Sequence, residues 1–150
     1  MTLTITTEDP LSPDGLALIE GSEAALREVY TPEECFTFSP RELAAPGISF
    51  FVARRNGRPV GCVALCDCGD YAEVKRLFVT PEARGTGTGR ALMAHLEAQA
   101  RSRGHRLIRL ETGPRLISGV ALYERLGYRR RGPFGSYRDH PASLFMEKAL

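Results

Sequence analysis

The segment EVKRLFVTPEARGTGTGRALMAHLE, residues 73–97, decides the fold of this 150-residue chain. Its first residues have the apolar and β-branched character of a strand. Three glycines follow at alternate positions, 85, 87 and 89. From about Thr88 to Arg103 apolar residues recur at helical spacing. A strand, a glycine-rich loop and a helix in this order indicate an anion site, because a helix N-terminus presents unpaired N–H groups and partial positive charge.

The composition of this loop also favours a bound anion. Residues 85–96 contain no acid, although first turns of helices usually collect Asp or Glu. Gly89 is followed by Arg90, which excludes a Walker loop, and the glycine spacing after an antiparallel run excludes a dinucleotide fingerprint. The predicted phosphate-binding residues are Arg84, Gly85, Thr86, Gly87, Thr88, Gly89 and Arg90. The alternative is a glycine-rich turn with its arginines in solvent.

The strand before the loop changes the face on which its apolar residues lie. Ala72 and Val74 share one parity, whereas Leu77 and Val79 share the other. Since side chains alternate along a strand, the change predicts one extra residue, a β-bulge near Lys75-Arg76. The alternative is a strand whose end is buried on both faces.

Outward from this segment, the pattern predicts short strands and helices in alternation. Strands 48–55 and 59–66 form a hairpin around Asn56-Gly57, the strongest short hairpin signal. Further strands are predicted at 3–7, 71–79, 106–112, 127–131 and 143–148, with helices at about 16–29, interrupted or bent near Gly21-Ser22, and at 116–126. The fold class is therefore α/β (α+β), with a mixed, mostly antiparallel central sheet and helices on both faces.

Composition limits the classes of protein that remain. The chain length and the 43% hydrophobic content predict a single globular domain over residues 1–150. The net charge of +2 gives no support for a nucleic-acid partner. We find no apolar run long enough for a membrane span and no signal peptide, so we expect a cytoplasmic protein without a membrane partner. The four cysteines form no CxxC pair, and we expect no metal.

Residues 84–89, RGTGTG, match the pattern R/Q-x-x-G-x-G/A and resemble the acetyl-coenzyme A signature of the GNAT family of N-acetyltransferases. The segment LETG…ALYERLGYRRRGPFGSY, within 110–137, resembles the second motif of that family. The resemblance covers roughly residues 48–150. It implies the acyl-CoA N-acyltransferase fold, acetyl-CoA as cosubstrate, and direct transfer of the acetyl group to a primary amine within a ternary complex.

The resemblance also implies roles for individual residues. The 85–89 loop would hold the pyrophosphate, and the backbone of Leu77, Phe78 and Val79 would pair with the pantetheine arm. An N–H freed near the bulge would stabilise the oxyanion. Tyr123 would protonate the departing thiolate; otherwise it is a core residue. The base that deprotonates the amine would be Glu73, whose position on the bulged strand is often acidic in the family; the alternatives are Glu111 on the neighbouring strand and a water chain without a dedicated residue.

Other features stay open at the level of sequence. The family often places Asn or Gln where this chain has Leu116, so one side-chain contact to the cofactor arm is missing, unless Ser118 replaces it. Acceptor residues are expected in 32–38 and 134–137, which fit an amino acid, a polyamine or a peptide N-terminus. A monomer or a homodimer is compatible with the sequence. The alternative function is a catalytically silent coenzyme A-binding regulatory module.

Overall fold

The computed structural model describes residues 2–150, which form seven strands and four α-helices. The strands are β1 (Leu3–Thr7), β2 (Ile48–Arg55), β3 (Arg58–Asp67), β4 (Ala72–Val79), β5 (Leu107–Thr112), β6 (Arg129–Arg131) and β7 (Leu144–Ala149). The helices are α1 (Pro13–Arg27), α2 (Pro40–Leu43), α3 (Thr88–Ser102) and α4 (Ile117–Arg125). Short 3-10 turns lie at Pro32–Glu34 and Pro81–Ala83.

The strands form one sheet in the order β1-β2-β3-β4-β5-β7-β6. Within residues 2–150, every neighbouring pair of strands is antiparallel except β4 and β5, which are parallel. This arrangement confirms the predicted mixed, mostly antiparallel sheet. The exception matters for function. Two parallel strands cannot be joined by a hairpin, so the connection from β4 to β5 is long and contains the glycine-rich loop and α3.

Local signals explain where the elements begin and end. Asn56 and Gly57 have φ values of +53° and +78°, as a two-residue hairpin turn requires. The predicted interruption of α1 near Gly21 is wrong, since the helix is continuous from Pro13 to Arg27. The glycine allows the helix to pack closely on the sheet, because a Cβ at Gly21 would lie 2.9 Å from the ring of Phe78 on β4.

Apolar side chains pack on both faces of the sheet. On one face, Leu92 and Leu96 of α3 pack with Phe51 and Leu65, and all four are fully buried. On the other face, α1 and α2 cover a second cluster, which consists of Leu18, Ile19, Leu43, Phe50, Val52, Cys62 and Ala64. Helices therefore lie on both faces, as predicted.

The sheet ends on one side at β6, a strand of three consecutive arginines. Arg129 and Arg130 are exposed, whereas Arg131 forms an ion pair with Glu147 of the neighbouring β7. Arg109 of β5 binds the same carboxylate. Both backbone hydrogen bonds and an ion pair therefore hold this edge strand against β7.

Candidate active site

The candidate active site is a cleft of about 900 Å³ that opens where β4 and β5 diverge. The two parallel strands pair only over Ala72–Val74 and Ile108–Leu110. Beyond these residues the far end of β4, the glycine-rich loop, the end of β5 and α4 line the cleft. The site therefore lies at the carboxyl ends of the parallel strands, where ligands commonly bind in such sheets.

A β-bulge produces the divergence. Cys62 of β3 pairs with Phe78, and Ala64 pairs with Lys75, so that two steps along β3 match three along β4. Arg76 is the extra residue and has a φ of +57°, which is rare for a residue other than glycine. The bulge near Lys75-Arg76 predicted from the parity change is confirmed.

The glycine-rich loop forms one end of the cleft. Gly85 and Gly87 have φ values of +76° and +85°, and a Cβ on either would meet nothing within 4 Å. Helix α3 begins at Thr88 with neither a side-chain cap nor an acid in its first turn. Both the backbone conformation and the open space beside it suit close approach by a ligand.

The loop also offers donors. Within residues 2–150, no backbone N–H from residue 85 to residue 90 donates a hydrogen bond. The loop is held instead by hydroxyls, since Thr86 Oγ1 donates to the Ala83 carbonyl and lies 2.9 Å from Thr88 Oγ1. Arg84 and Arg90 are exposed beside it. Unpaired N–H groups at a helix N-terminus with flanking arginines fit a pyrophosphate.

The strand residues predicted to contact the cofactor arm, Leu77, Phe78 and Val79, all line the cleft. Leu77 and Val79 pack on the core under α3, whereas Phe78 packs on the core under α1. Leu116 and Ser118 at the start of α4 line the opposite wall. The β5 side of this stretch of β4 has no strand partner, which leaves its backbone edge open to an extended ligand.

Tyr123 lies on α4 in the wall of the cleft and is 7% exposed. Its ring packs edge-to-face on Tyr128, with 5.8 Å between centroids. The hydroxyl makes no hydrogen bond within residues 2–150, and burial, with the nearby Glu111 carboxylate, raises the pKa of the phenol. Tyr123 therefore carries its proton at neutral pH and donates it to no partner among the described residues.

The two candidate bases have different surroundings. Glu111 lines the cleft, accepts a hydrogen bond from Ser143 Oγ at 2.9 Å, and has a pKa raised to about 7, chiefly by burial. Glu73 is absent from the cleft wall and its side chain is 6% exposed. Its carboxylate accepts from Lys75 Nζ at 2.9 Å and from the Tyr137 hydroxyl at 2.6 Å. The structure thus brings Glu111, but not Glu73, to the cleft beside Tyr123.

A slot of about 40 Å³ opens beside the cleft, between segment 36–38 and Tyr137 of the carboxyl-terminal loop. Its walls are formed by Phe36, Thr37, Phe38, Val74, Lys75, Arg76, Glu111 and Tyr137. Segments 32–38 and 134–137, predicted to hold the acceptor, both contribute to these walls. Because Glu111 and Val74 line both spaces, the slot and the cleft meet at the point where the strands diverge.

Sequence reasoning missed two features of the site. Tyr30 follows α1 and lines the cleft, where its hydroxyl accepts the backbone N–H of Arg115 at 2.8 Å and lies against the position that a Cβ on Gly113 would take. Arg115 lies over the Tyr30 ring, 5.4 Å from its centroid. These contacts join residues 85 positions apart, so no local pattern reveals them.

Residues 2–150, the described part of the chain, lack two kinds of feature. No group of three or more His, Cys, Asp or Glu side chains is arranged to hold a metal ion. No helix in the same range has the length and hydropathy needed to cross a bilayer.

Comparison with known proteins places this geometry in a family. The family model for the acetyltransferase (GNAT) domain matches residues 46–130. A relative from Azospirillum brasilense named IAA acetyltransferase is 44% identical over 150 residues, covering 99% of this chain and 98% of its own. That match extends over both the loop and the slot.

Solved structures are similar over the same length. A Klebsiella pneumoniae protein described as an acyl-CoA N-acyltransferase has a TM-score of 0.84 and 34% identity, with 99% of this chain and 98% of that chain covered. The PaiA N-acetyltransferase of Thermoplasma acidophilum, solved with coenzyme A, has a TM-score of 0.81 at 19% identity and full coverage of both chains, which shows a shared fold. The chain therefore belongs to the GNAT family and is an acetyl-CoA-dependent N-acetyltransferase.

Proposed function

We propose that this enzyme transfers the acetyl group of acetyl-CoA directly to the primary amine of a small molecule while both substrates are bound. The observation that carries the proposal is one continuous cleft. It extends from the unpaired N–H groups of residues 85–90, along the open edge of β4, to Glu111 and Tyr123. Such a cleft presents an anion site, an amide-pairing edge, a base and an acid in the order that this transfer requires.

The cofactor end follows from the chemistry of coenzyme A. The N–H groups of 85–90, with Arg84 and Arg90 beside them, hold the pyrophosphate. The backbone of Leu77–Val79 pairs with the amides of the pantetheine arm, as an added strand would. Bound there, acetyl-CoA supplies an acetyl group already activated as a thioester. Its carbonyl then lies beside the bulge, where a backbone N–H stabilises the negative charge that develops on oxygen.

Glu111 serves as the general base in this proposal. A pKa of about 7 leaves an appreciable fraction ionised at neutral pH, and that value is well matched to accepting a proton from an ammonium. The sequence alone favoured Glu73, but its carboxylate is engaged by Lys75 and Tyr137. We therefore assign to Glu73 the anchoring of the carboxyl-terminal loop, and to Glu111 the proton transfer, either directly or through a water.

Tyr123 serves as the general acid toward the departing thiolate. Its raised pKa ensures that the hydroxyl is protonated, and the proton moves as the thiolate leaves. No protein acceptor within residues 2–150 competes for that proton. Glu111 and Tyr123 thus divide proton removal and proton donation between two walls of one cleft.

The acceptor is a small amine, of the amino acid, polyamine or similar class. The slot lined by Phe36, Phe38 and Tyr137 has room for a narrow stem rather than a protein surface. The name of the Azospirillum relative supports acetyl transfer to a small molecule. Cytoplasmic location and a monomeric or homodimeric state belong to the same proposal.

The test is thiol release from acetyl-CoA by the purified protein across a panel of amino acids, polyamines and arylalkyl amines. We expect release of coenzyme A that depends on the amine, with the acetylated amine detected by mass spectrometry. A Gly87→Val variant that remains folded provides the control, because it blocks the phosphate loop and should release no thiol. If the wild-type protein binds coenzyme A but releases no thiol with any amine, it is a silent binding module and the proposal is wrong.

A further inference from the structure

Arg76 is the bulge residue of β4 and has two unusual properties. Its φ of +57° lies in the left-handed region, which residues other than glycine rarely adopt because the Cβ is strained there. Its side chain is only 1% exposed, although a guanidinium is always charged. A strained backbone and a buried charge at one position need compensation from the surroundings.

The compensation comes from four groups on two elements of the amino-terminal half. All three guanidinium nitrogens donate hydrogen bonds. Toward α1, Nη1 donates to Ser22 Oγ at 3.3 Å and Nη2 donates to Glu23 Oε1 at 2.7 Å. Toward segment 36–38, Nη2 donates to Thr37 Oγ1 at 3.0 Å, and both Nε and Nη2 donate to the Phe38 carbonyl. Ser22 and Glu23 lie on α1. Arg76 thus joins the bulge to α1 and to segment 36–38.

Segment 36–38 depends on these contacts. It lies between the 3-10 turn at Pro32–Glu34 and α2, has no regular structure, and makes no backbone–backbone hydrogen bond within residues 2–150. Three of the bonds from Arg76 end on Thr37 and Phe38. The neighbouring Lys75 places its ammonium 3.9 Å from the centroid of the Phe38 ring. Phe36, Thr37 and Phe38 form one wall of the slot.

We infer that Arg76 is a positioning residue for the acceptor: it holds the 36–38 wall of the slot in register with the bulge at which the acetyl group is attacked. The inference rests on the proposed function, since it assigns the slot to the acceptor amine. Arg76 acts through the wall rather than by touching the substrate, because its guanidinium is buried and already bonded. Loss of these bonds frees the acceptor wall but leaves the phosphate loop intact.

Two variants with a matched control test this role. Arg76→Lys keeps the charge but cannot reach four acceptors, and Arg76→Gly relieves the backbone strain while removing the side chain. The control is Arg54→Lys, because Arg54 also joins distant elements, through Glu8 and Asp14, yet lies away from the cleft. The readouts are KM and kcat for the best amine, calorimetric Kd for coenzyme A, and the rate of limited chymotrypsin cleavage after Phe36 and Phe38 in the native protein.

We expect both Arg76 variants to raise the KM for the amine about tenfold or more, which corresponds to roughly 1.4 kcal/mol of lost binding free energy. Chymotrypsin cleavage in 36–38 should accelerate, while the Kd for coenzyme A stays within about twofold. Arg54→Lys should change none of these. A merely structural role would lower the amount of active enzyme without changing KM.

The inference is overturned if Arg76→Lys and Arg54→Lys have the same KM for the amine, or if chymotrypsin cleaves 36–38 in the Arg76 variants at the wild-type rate. A wild-type protein without activity would refute the proposed function. The cleavage measurement would then decide the positioning of 36–38 independently, since it needs no turnover.

Discussion

Replacement of Glu111 by glutamine keeps the shape of the side chain and its contact with Ser143 but removes the proton acceptor. If Glu111 is the base, kcat should fall by about 10²–10⁴-fold. In the wild type, kcat at saturating amine should rise with pH up to about 7, where Glu111 becomes ionised, and then level off. The variant should lose this rise.

The same substitution should change how stability depends on pH. Folding raises the pKa of Glu111 from its usual 4.5 to about 7, so its ionised form is favoured in the unfolded chain. The folded state is stabilised by keeping Glu111 protonated. This stabilisation is fully present below pH 4.5 and is lost as the pH rises through about 7. The change corresponds to about 3 kcal/mol at roughly 1.4 kcal/mol per pH unit. Because Glu111 is only partly buried, screening reduces the expected loss to about 2 kcal/mol.

The assays are steady-state thiol release and chemical denaturation, both from about pH 5 to about pH 9, on wild type and Glu111→Gln. Glu73→Gln is the comparison, because it removes the other carboxylate from the same face. The reasoning is refuted if Glu111→Gln retains the acidic limb of the rate profile. If Glu73→Gln alone abolishes that limb, Glu73 is the base, as the sequence first indicated.

Three further predictions concern the cleft. Tyr123→Phe should lower kcat by at least about 10²-fold with little change in coenzyme A affinity, whereas Tyr128→Phe, which loses a bond to Glu97 outside the cleft, should alter the melting temperature but not turnover. Gly87→Ala should weaken coenzyme A binding at least about tenfold by calorimetry, and Gly47→Ala, at a similar φ of +84° away from the cleft, should leave binding unchanged. Coenzyme A at about 100 times its Kd should stabilise the fold by roughly 2.7 kcal/mol; an equal thermal shift from NAD or ATP would indicate a generic phosphate site instead.

The features that sequence predicted well are those set by neighbouring residues. The change of parity between Val74 and Leu77 located the bulge, and Asn56-Gly57 located the hairpin, because both depend on local backbone geometry. Gly21 misled the prediction of α1, since a helical glycine can serve close packing, here against Phe78, as well as interruption. The contact that explains this glycine is with a residue of β4, which the local sequence around Gly21 does not show.

The arrangement of charge in the site could not be predicted from sequence. Glu73, Lys75 and Tyr137 are joined over separations of 62 and 64 residues, and Arg76 reaches Ser22 over 54. No residue pattern shows which carboxylate is hydrogen-bonded within such a network and which one is available to act as a base. Sequence therefore favoured Glu73 over Glu111, whereas the packed structure gives the two carboxylates different surroundings.

The arginine strand β6 has a consequence for how copies of this chain behave when crowded. An unpaired sheet edge can accept a strand from another molecule, which is a common route to aggregation. Here, a second copy that approached by the same edge would set its three arginines against the first three, with the outer two of each unneutralised. Repulsion of this kind weakens as ions screen it. Refolding at high protein concentration should therefore yield more soluble enzyme in dilute buffer than in concentrated salt.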